Sequence, residues 1–596
     1  NSNIAIGNNA LYFNTEGLSN VATGNAALYS NTTGYNNTAN GQDALNSNTS
    51  GYYNTAIGSD ALYSNSSGNS NTAIGRTALY SNTTGYNNTA CGNASLRYNT
   101  EGFENTATGR NALNSNTTGY YNTAIGCDAL NSNTTGYLNT ASGHAALFSN
   151  TSGNLNTANG MASLYFNTTG GANTASGFNA LYSNTTGNFN TANGASALFA
   201  NTTGSWNAAN GYWALYSNTT GNFNTANGMM ALYANTTGTK NTANGNQALY
   251  SNTTGYENTA NGFESLHYNT TGYFNTATGC QALKNNYSGL FNTANGYAAL
   301  LSNTIGNENT ANGMLALNTN TTGSANTASG IASLFNNTSG HFNSAFGSYA
   351  LNSNIAGSNN TAGGALALYS NLSGDFNTAD GFHALRENTT GNNNTASGRE
   401  ALLNNETGNG NTAHGAQAIQ NNITGNYNSA LGRNAFYDGT ALDNTICIGY
   451  NSGGVVNASN RVEIGNTSVS VIAGQVSFST YSDERIKDNI QDDVPGLAFI
   501  NKLRPVTYNL NIHRENTMVQ KGTNKDEADW EGKYDIEKIR MTGFVAQEVE
   551  RAATESGYDF SGVQKPANPD ELYSLRYSDF VMPLVKAVQE LTKQNQ

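Results

Sequence analysis

From Asn3 to Asn428 the chain repeats one arrangement of small, apolar and polar residues every 17 positions, 26 times. The consensus reads Asn-Thr-Ala-x-Gly-x-x-Ala-Leu-x-x-Asn-Thr-Thr-Gly-x-x. Each repeat has one large apolar position, Leu11 through Leu402 and then Ile419 and Phe436, beside two small Ala positions. One large side chain per repeat makes a thin core that closes only when repeats stack. A helical solenoid is excluded. Seventeen residues holding two Gly and a Thr-Thr-Gly turn leave no room for two helices. The pattern therefore predicts an all-β solenoid, a parallel β-roll of 26 rungs.

Four positions are nearly invariant within the chain, and each has a physical reason. The first Asn and the Gly four residues later (Gly7 to Gly432) occur in all 26 repeats, and the second Gly (Gly17 to Gly425) occurs in 25. Glycine at two offsets predicts positive φ at two corners of each coil. Asparagines stacked rung over rung predict side-chain amide ladders. No proline precedes Pro495, as expected where backbone N–H groups are all used between rungs. At roughly 4.8 Å per rung the 26 repeats predict a rod on the order of 125 Å.

Composition removes several function classes. The net charge is −13, with no basic stripe, so nucleic acid is not an expected partner. No run of 18 apolar residues marks a membrane span. The four cysteines, Cys91, Cys127, Cys280 and Cys447, show no CxxC spacing. Cys127 and Cys280 share a repeat position but lie nine rungs apart, and the six histidines fall at scattered phases. Neither a disulfide framework, a metal centre nor a cofactor is expected.

The Asn-Thr-Ala-x-Gly-x-x-Ala-Leu pattern resembles the head repeats of YadA-like trimeric autotransporter adhesins, over about residues 1–470. That resemblance implies a left-handed roll and a homotrimer. One Leu per rung is a meagre core for a lone chain, and burial between chains adds to it. Variable positions often hold aromatics: Tyr29, Tyr63, Tyr80, Phe148 and Tyr182 at one, Tyr52, Tyr53, Phe189 and Phe274 at the last two. Stacking on neighbouring rungs or packing between chains is the expected use; a surface for a glycan or receptor is the alternative. Asn-x-Ser/Thr triplets such as Asn31-Thr32-Thr33 match the glycosylation acceptor pattern but are expected to serve as turns.

After Gly425 the period breaks. Residues 444–475 keep fragments of the motif, Ile446-Cys447-Ile448-Gly449 and Val462-Glu463-Ile464-Gly465, and Val476–Tyr481 reads as an alternating strand. All five prolines lie beyond Ser482. Three segments follow: a fibre at 1–443, a transition at 444–481 and a C-terminal domain at 482–596. In the last, the pattern predicts a short helix from Ser482, a helix near 496–503 and a strand at 506–512. It further predicts a charged mobile insertion at 514–540, a strand running into a helix across 541–553, and an amphipathic helix at 579–594. The stripe of that helix, Phe580, Leu584, Val588 and Leu591, suits a three-helix coiled coil.

Four segments resemble the endosialidase-type intramolecular chaperone domain of phage tail spikes and fibres. They are Ser482-Asp-Glu-Arg-Ile-Lys487-Asp-Asn489-Ile490, Leu503-Arg504-Pro505-Val506-Thr-Tyr508, Gly543-Phe-Val-Ala-Gln547-Glu548-Val549, and Tyr577-Ser578-Asp-Phe580 running on to Leu591. The resemblance implies a small α+β domain that trimerises, sets the register of the fibre and cuts itself off at Tyr481–Ser482. It implies Ser482 as nucleophile and Lys487 as general base, a single-turnover serine autoprotease. The simpler role for Ser482 is a helix N-cap. Five-residue spacing does not put Ser482 and Lys487 on one helix face, so the serine must stand off the helix.

The expected protein is a homotrimeric structural and adhesive fibre, extracellular, at a virion or cell surface. Its expected partners are its own copies and a surface glycan or receptor. The alternative is an autotransporter-type adhesin or an uncleaved fibre. No paired-carboxylate site for glycan cleavage stands out in the repeats.

Overall fold

The computed structural model describes residues 2–437, 439–453, 458–476, 478–519, 533–566 and 572–596. The chain divides into two compact units, Asn1–Asn359 and Asn360–Gln596. The first holds twenty-one three-residue strands, β1 (Ile4–Ile6) to β21 (Ser344–Phe346). The second continues the pattern from β22 (Thr361–Gly363) to β28 (Val462–Ile464) and then holds the C-terminal domain. In both units successive strands pair in parallel, Thr157 on Thr174 in the first and Thr378 on Thr395 in the second. The expected parallel β-solenoid with 17-residue spacing is what forms.

Each repeat contributes one strand, and its middle Ala points inward. Ala22, Ala27 and Leu28 are fully buried, and their counterparts in the rungs that follow are buried too, whereas in the first repeat Ala5 is exposed and Ala10 and Leu11 are half-buried. Where Ser replaces the second Ala, as at Ser95, its hydroxyl donates to the Gly92 carbonyl at 2.9 Å. The ladder passes beyond the repeats. Ile446 pairs with Ser429, still 17 residues on, and Val462 pairs with Ile446 at 16. In β28 a carboxyl replaces the inward Ala: Glu463 lies beside Cys447, its pKa raised by burial. Burial also pushes the Cys447 thiol up to about 12, with Glu463 adding to the effect.

Two asparagine files form the expected ladders. Asn37 Nδ2 donates to the Gly51 carbonyl at 2.9 Å and to Asn20 Oδ1 at 3.2 Å, and the Asn37 backbone N–H donates to the same oxygen at 2.9 Å. Asn48 Nδ2 donates to Asn31 Oδ1 at 2.7 Å and to the Gly51 carbonyl at 3.0 Å. From Asn20 and Asn31 onward both files are buried. Asn31 is the acceptor residue of a glycosylation triplet. Its amide nitrogen is occupied by Asn14 and Gly34, so the triplet serves the turn.

The glycines divide differently from the expectation. The first file has φ near +135°, as at Gly24 with +134°, a region essentially reserved for glycine. The second file has ordinary φ. A Cβ at Gly34 would collide with Asn31 Oδ1 and with the Gly51 carbonyl, so close packing selects glycine there. The other left-handed positions of the rungs are mostly not glycine, with Gly410 at the Asn36 phase an exception: Ala26, Leu28 and Asn36 have φ of 53°. Such residues cost about 1–2 kcal/mol each, and the ladders on either side hold them.

The C-terminal domain is built of short pieces. A 3-10 turn at Glu484–Ile486 precedes α1 (Leu497–Ile500), β29 (Val506–Tyr508) and α2 (Ile512–Val519). After residue 533 come β30 (Met541–Gly543), α3 (Ala546–Glu555), β31 (Val563–Gln564), β32 (Ser574–Leu575) and α4 (Val581–Gln594). Three local expectations are corrected. The described part of 476–481 contains no strand; Phe478 and Tyr481 are 93% and 97% exposed. The strand from 506 ends at Tyr508, since Ile512 turns inward to start α2. The insertion expected at 514–540 opens in that helix and closes in a 3-10 turn at Asp535–Lys538; residues 520–532 lie outside the described residues.

Its core is Phe499, Val549, Ala552, Ala553, Phe560 and Phe580. β29 and β30 are antiparallel, Val506 opposite Gly543. α4 lies against α1, with Gly496 approaching the Ala587 backbone so closely that a Cβ would clash. The Leu497 N–H donates to Glu590 Oε2 at 2.7 Å. Among the described residues no helix is long and apolar enough to cross a membrane.

Candidate active site

Three of the four C-terminal motifs assemble into one body. Arg504 of the second grips Glu548 of the third with two hydrogen bonds, of 3.0 and 2.6 Å. Glu548 is held below the usual carboxylate range by that guanidinium. The Phe544 N–H of the third motif donates to the Tyr577 hydroxyl of the fourth at 3.0 Å. Phe580 completes the core.

The first motif stands apart, exposed from Tyr481 to Asp493. Its fold is nonetheless defined. Asp483, not Ser482, caps the 3-10 turn: its carboxylate accepts the Arg485 N–H at 2.9 Å. The Arg485 guanidinium closes on the same carboxylate at 2.9 and 2.6 Å and holds it below the usual range. With Asp483 taking the cap, the Ser482 hydroxyl is left for another partner. Lys487 ends the turn in extended backbone, φ −117° and ψ 117°. One tight turn thus carries the lysine back, and Lys487 Nζ donates to Ser482 Oγ at 2.6 Å. Tyr481, Ser482 and Lys487 are together, and the serine stands off the helical turn as its spacing required. Ile486 and Ile490, the apolar members of this motif, are 66% and 69% exposed.

Chemically the arrangement offers a hydroxyl, an amine in contact with it, and the peptide carbonyl of Tyr481 one residue upstream. Among the described residues of the domain no partner buries them.

Residues 482–558 match the model of a peptidase family described as chaperone of endosialidase. No curated protein and no solved structure matches the chain. The matched segment opens at Ser482 and ends at Tyr558, so the fourth motif and α4 lie beyond it. A chaperone-of-endosialidase domain preceded by a parallel β-solenoid is a tail-fibre-like architecture.

One cluster escaped the sequence reading. Cys127, Asp128 and His144 bring three donor atoms within 4.8 Å of one another. Cys127 and His144 are 17 residues apart, at one phase of adjacent rungs, and that spacing was the available signal.

Proposed function

We propose that this chain is a homotrimeric extracellular fibre whose C-terminal domain directs trimerisation, fixes the register of the rungs and is then released by self-cleavage at Tyr481–Ser482. The 2.6 Å contact of Lys487 Nζ with Ser482 Oγ, at the first residue of the matched segment, carries this reading. The rest of the C-terminal domain supplies an unpartnered apolar surface. α4 buries Pro583 and Ala587 and leaves Val581, Leu584, Val585, Val588 and Leu591 exposed. Ile486 and Ile490 add to it. Three copies packed on this stripe would bury it.

In the proposed reaction Ser482 Oγ attacks the carbonyl carbon of Tyr481. Lys487, as neutral amine, takes the hydroxyl proton and delivers it to the departing Ser482 nitrogen. The C–N bond breaks, and Tyr481 is held as an ester on its neighbour's oxygen. Water then hydrolyses the ester, giving the Tyr481 carboxylate and the free hydroxyl of Ser482. General-base work needs the neutral lysine, and burial is what favours it. Both side chains are exposed in the single chain. Burial by neighbouring copies makes cleavage conditional on assembly.

The rungs give such a device a purpose. Near-identical repeats can slip against one another by whole rungs at little local cost, and a domain that counts three chains into register removes the ambiguity. Denaturing electrophoresis of wild type beside Ser482→Ala and Lys487→Ala tests the reaction. The expected result is two fragments, 1–481 and 482–596, from wild type and one band from each variant. An intact wild-type band, or equal cutting of Ser482→Ala, contradicts the reading.

A further inference from the structure

We propose that Cys127, Asp128 and His144 form a binding site for a borderline-soft divalent cation of the zinc type on the first unit of the roll. It is the one group of three such donors among the described residues. The chemistry suits the cation: a thiolate, a carboxylate oxygen and an imidazole nitrogen are its three common ligand types, and a water completes a tetrahedron. Ligand bonds of about 2.0–2.3 Å require the donors to close further, which side-chain rotation supplies.

The rungs hold the donors in advance. The Asp128 N–H donates to the Arg110 carbonyl and the Ala145 N–H to the Cys127 carbonyl, both at 2.9 Å, so the ladder fixes all three backbones. Asp128 is further oriented by its neighbour. Asn111 Nδ2 donates to Oδ1 at 2.9 Å, turning Oδ2 to the sulfur, where Cys127 Sγ donates to it at 3.1 Å. A ligand carboxylate steadied through its other oxygen is the usual support around a bound metal. Arg110 Nη2 lies 3.3 Å from the sulfur and 3.5 Å from Oδ2. A positive group already gathers at these donors. The arginine side chain is 64% exposed and can move into solvent as a cation enters.

The repeat supplies its own control. Cys280 occupies the same phase as Cys127, but Gln281 and Tyr297 stand where Asp128 and His144 stand in the earlier pair. A thiol without those two neighbours has no site.

Cobalt(II), titrated into the full chain at neutral pH, is the probe. The thiol loses its proton on binding, so a sulfur-to-cobalt charge-transfer band reports thiolate ligation directly. Wild type and Cys280→Ser are expected to develop this band at one equivalent. Cys127→Ser and His144→Ala are expected to lose it while keeping the wild-type circular dichroism. His144 is exposed, so its truncation leaves the rung intact. A folded wild type without the band at one equivalent overturns the proposal. So does an unchanged band in either Cys127→Ser or His144→Ala.

Discussion

Asn218 carries much of what one residue does in this fold. Its Nδ2 donates to Asn201 Oδ1 at 2.8 Å and to the Gly221 carbonyl at 3.1 Å, and its Oδ1 accepts from Asn235 at 2.8 Å. All of this is buried. Replacing it by Ala leaves Asn201 Oδ1 and one N–H of the Asn235 amide unpaired in the dry interior. We expect Asn218→Ala to cost about 3 kcal/mol, read as a lower denaturant midpoint. Asn193 makes a similar rung-to-rung bond, to Asn210 at 2.9 Å, but on the exposed face. Asn193→Ala should change stability by less than about 0.5 kcal/mol. Equal losses would show that burial is not what gives the ladder its strength. The ladders were legible in the sequence because Asn recurs at fixed phase. The backbone was only half legible. Gly24 needs its φ of +134°, whereas Gly34 lacks room for a Cβ, and composition cannot tell those reasons apart. Leucine in a left-handed conformation has no propensity signal at all; the stacked rungs impose it.

Between rungs, the aromatic position makes a continuous element. Phe148, Tyr165, Tyr182, Phe199, Tyr216, Tyr233, Tyr250 and His267 form a run of stacked rings with centroids 5.1–5.3 Å apart. The rings of this file stack on their neighbours, one of the arrangements its spacing predicts. His267 ends the run, and burial holds its pKa below the ordinary histidine value. As pH falls through about 6.5 the unfolded chain takes a proton that the folded one resists, so this rung loses stability toward acid. The loss is absent above that range. His267→Phe removes it: between pH 7.5 and 5 the variant's denaturant midpoint should fall less than wild type's, and equal falls would contradict the assignment. In the C-terminal domain, the stripe of α4 was legible except at its first residue. Phe580 turns into the core, while Leu584, Val588 and Leu591 stay outside. Val588→Asp should therefore leave the domain folded by circular dichroism and abolish trimers in sedimentation. A trimeric variant would free α4 from that role.

At the scale of the whole chain, a monotonous roll is joined to a domain of ordinary composition. The roll is nearly all readable from one 17-residue consensus, and the domain is readable through four motifs. The charged pair that joins the second and third motifs is not: nothing local pairs Arg504 with Glu548, because that contact depends on how the domain closes. In the proposed assembly three chains join through the C-terminal domain, and joining then severs Tyr481–Ser482. Mass measurement of the purified protein, first under native and then under denaturing conditions, addresses both halves at once. The expected result is a native trimer that separates on denaturation into a chain ending at Tyr481 and a chain beginning at Ser482. A native monomer, or a trimer yielding a single intact chain of 596 residues, would contradict it.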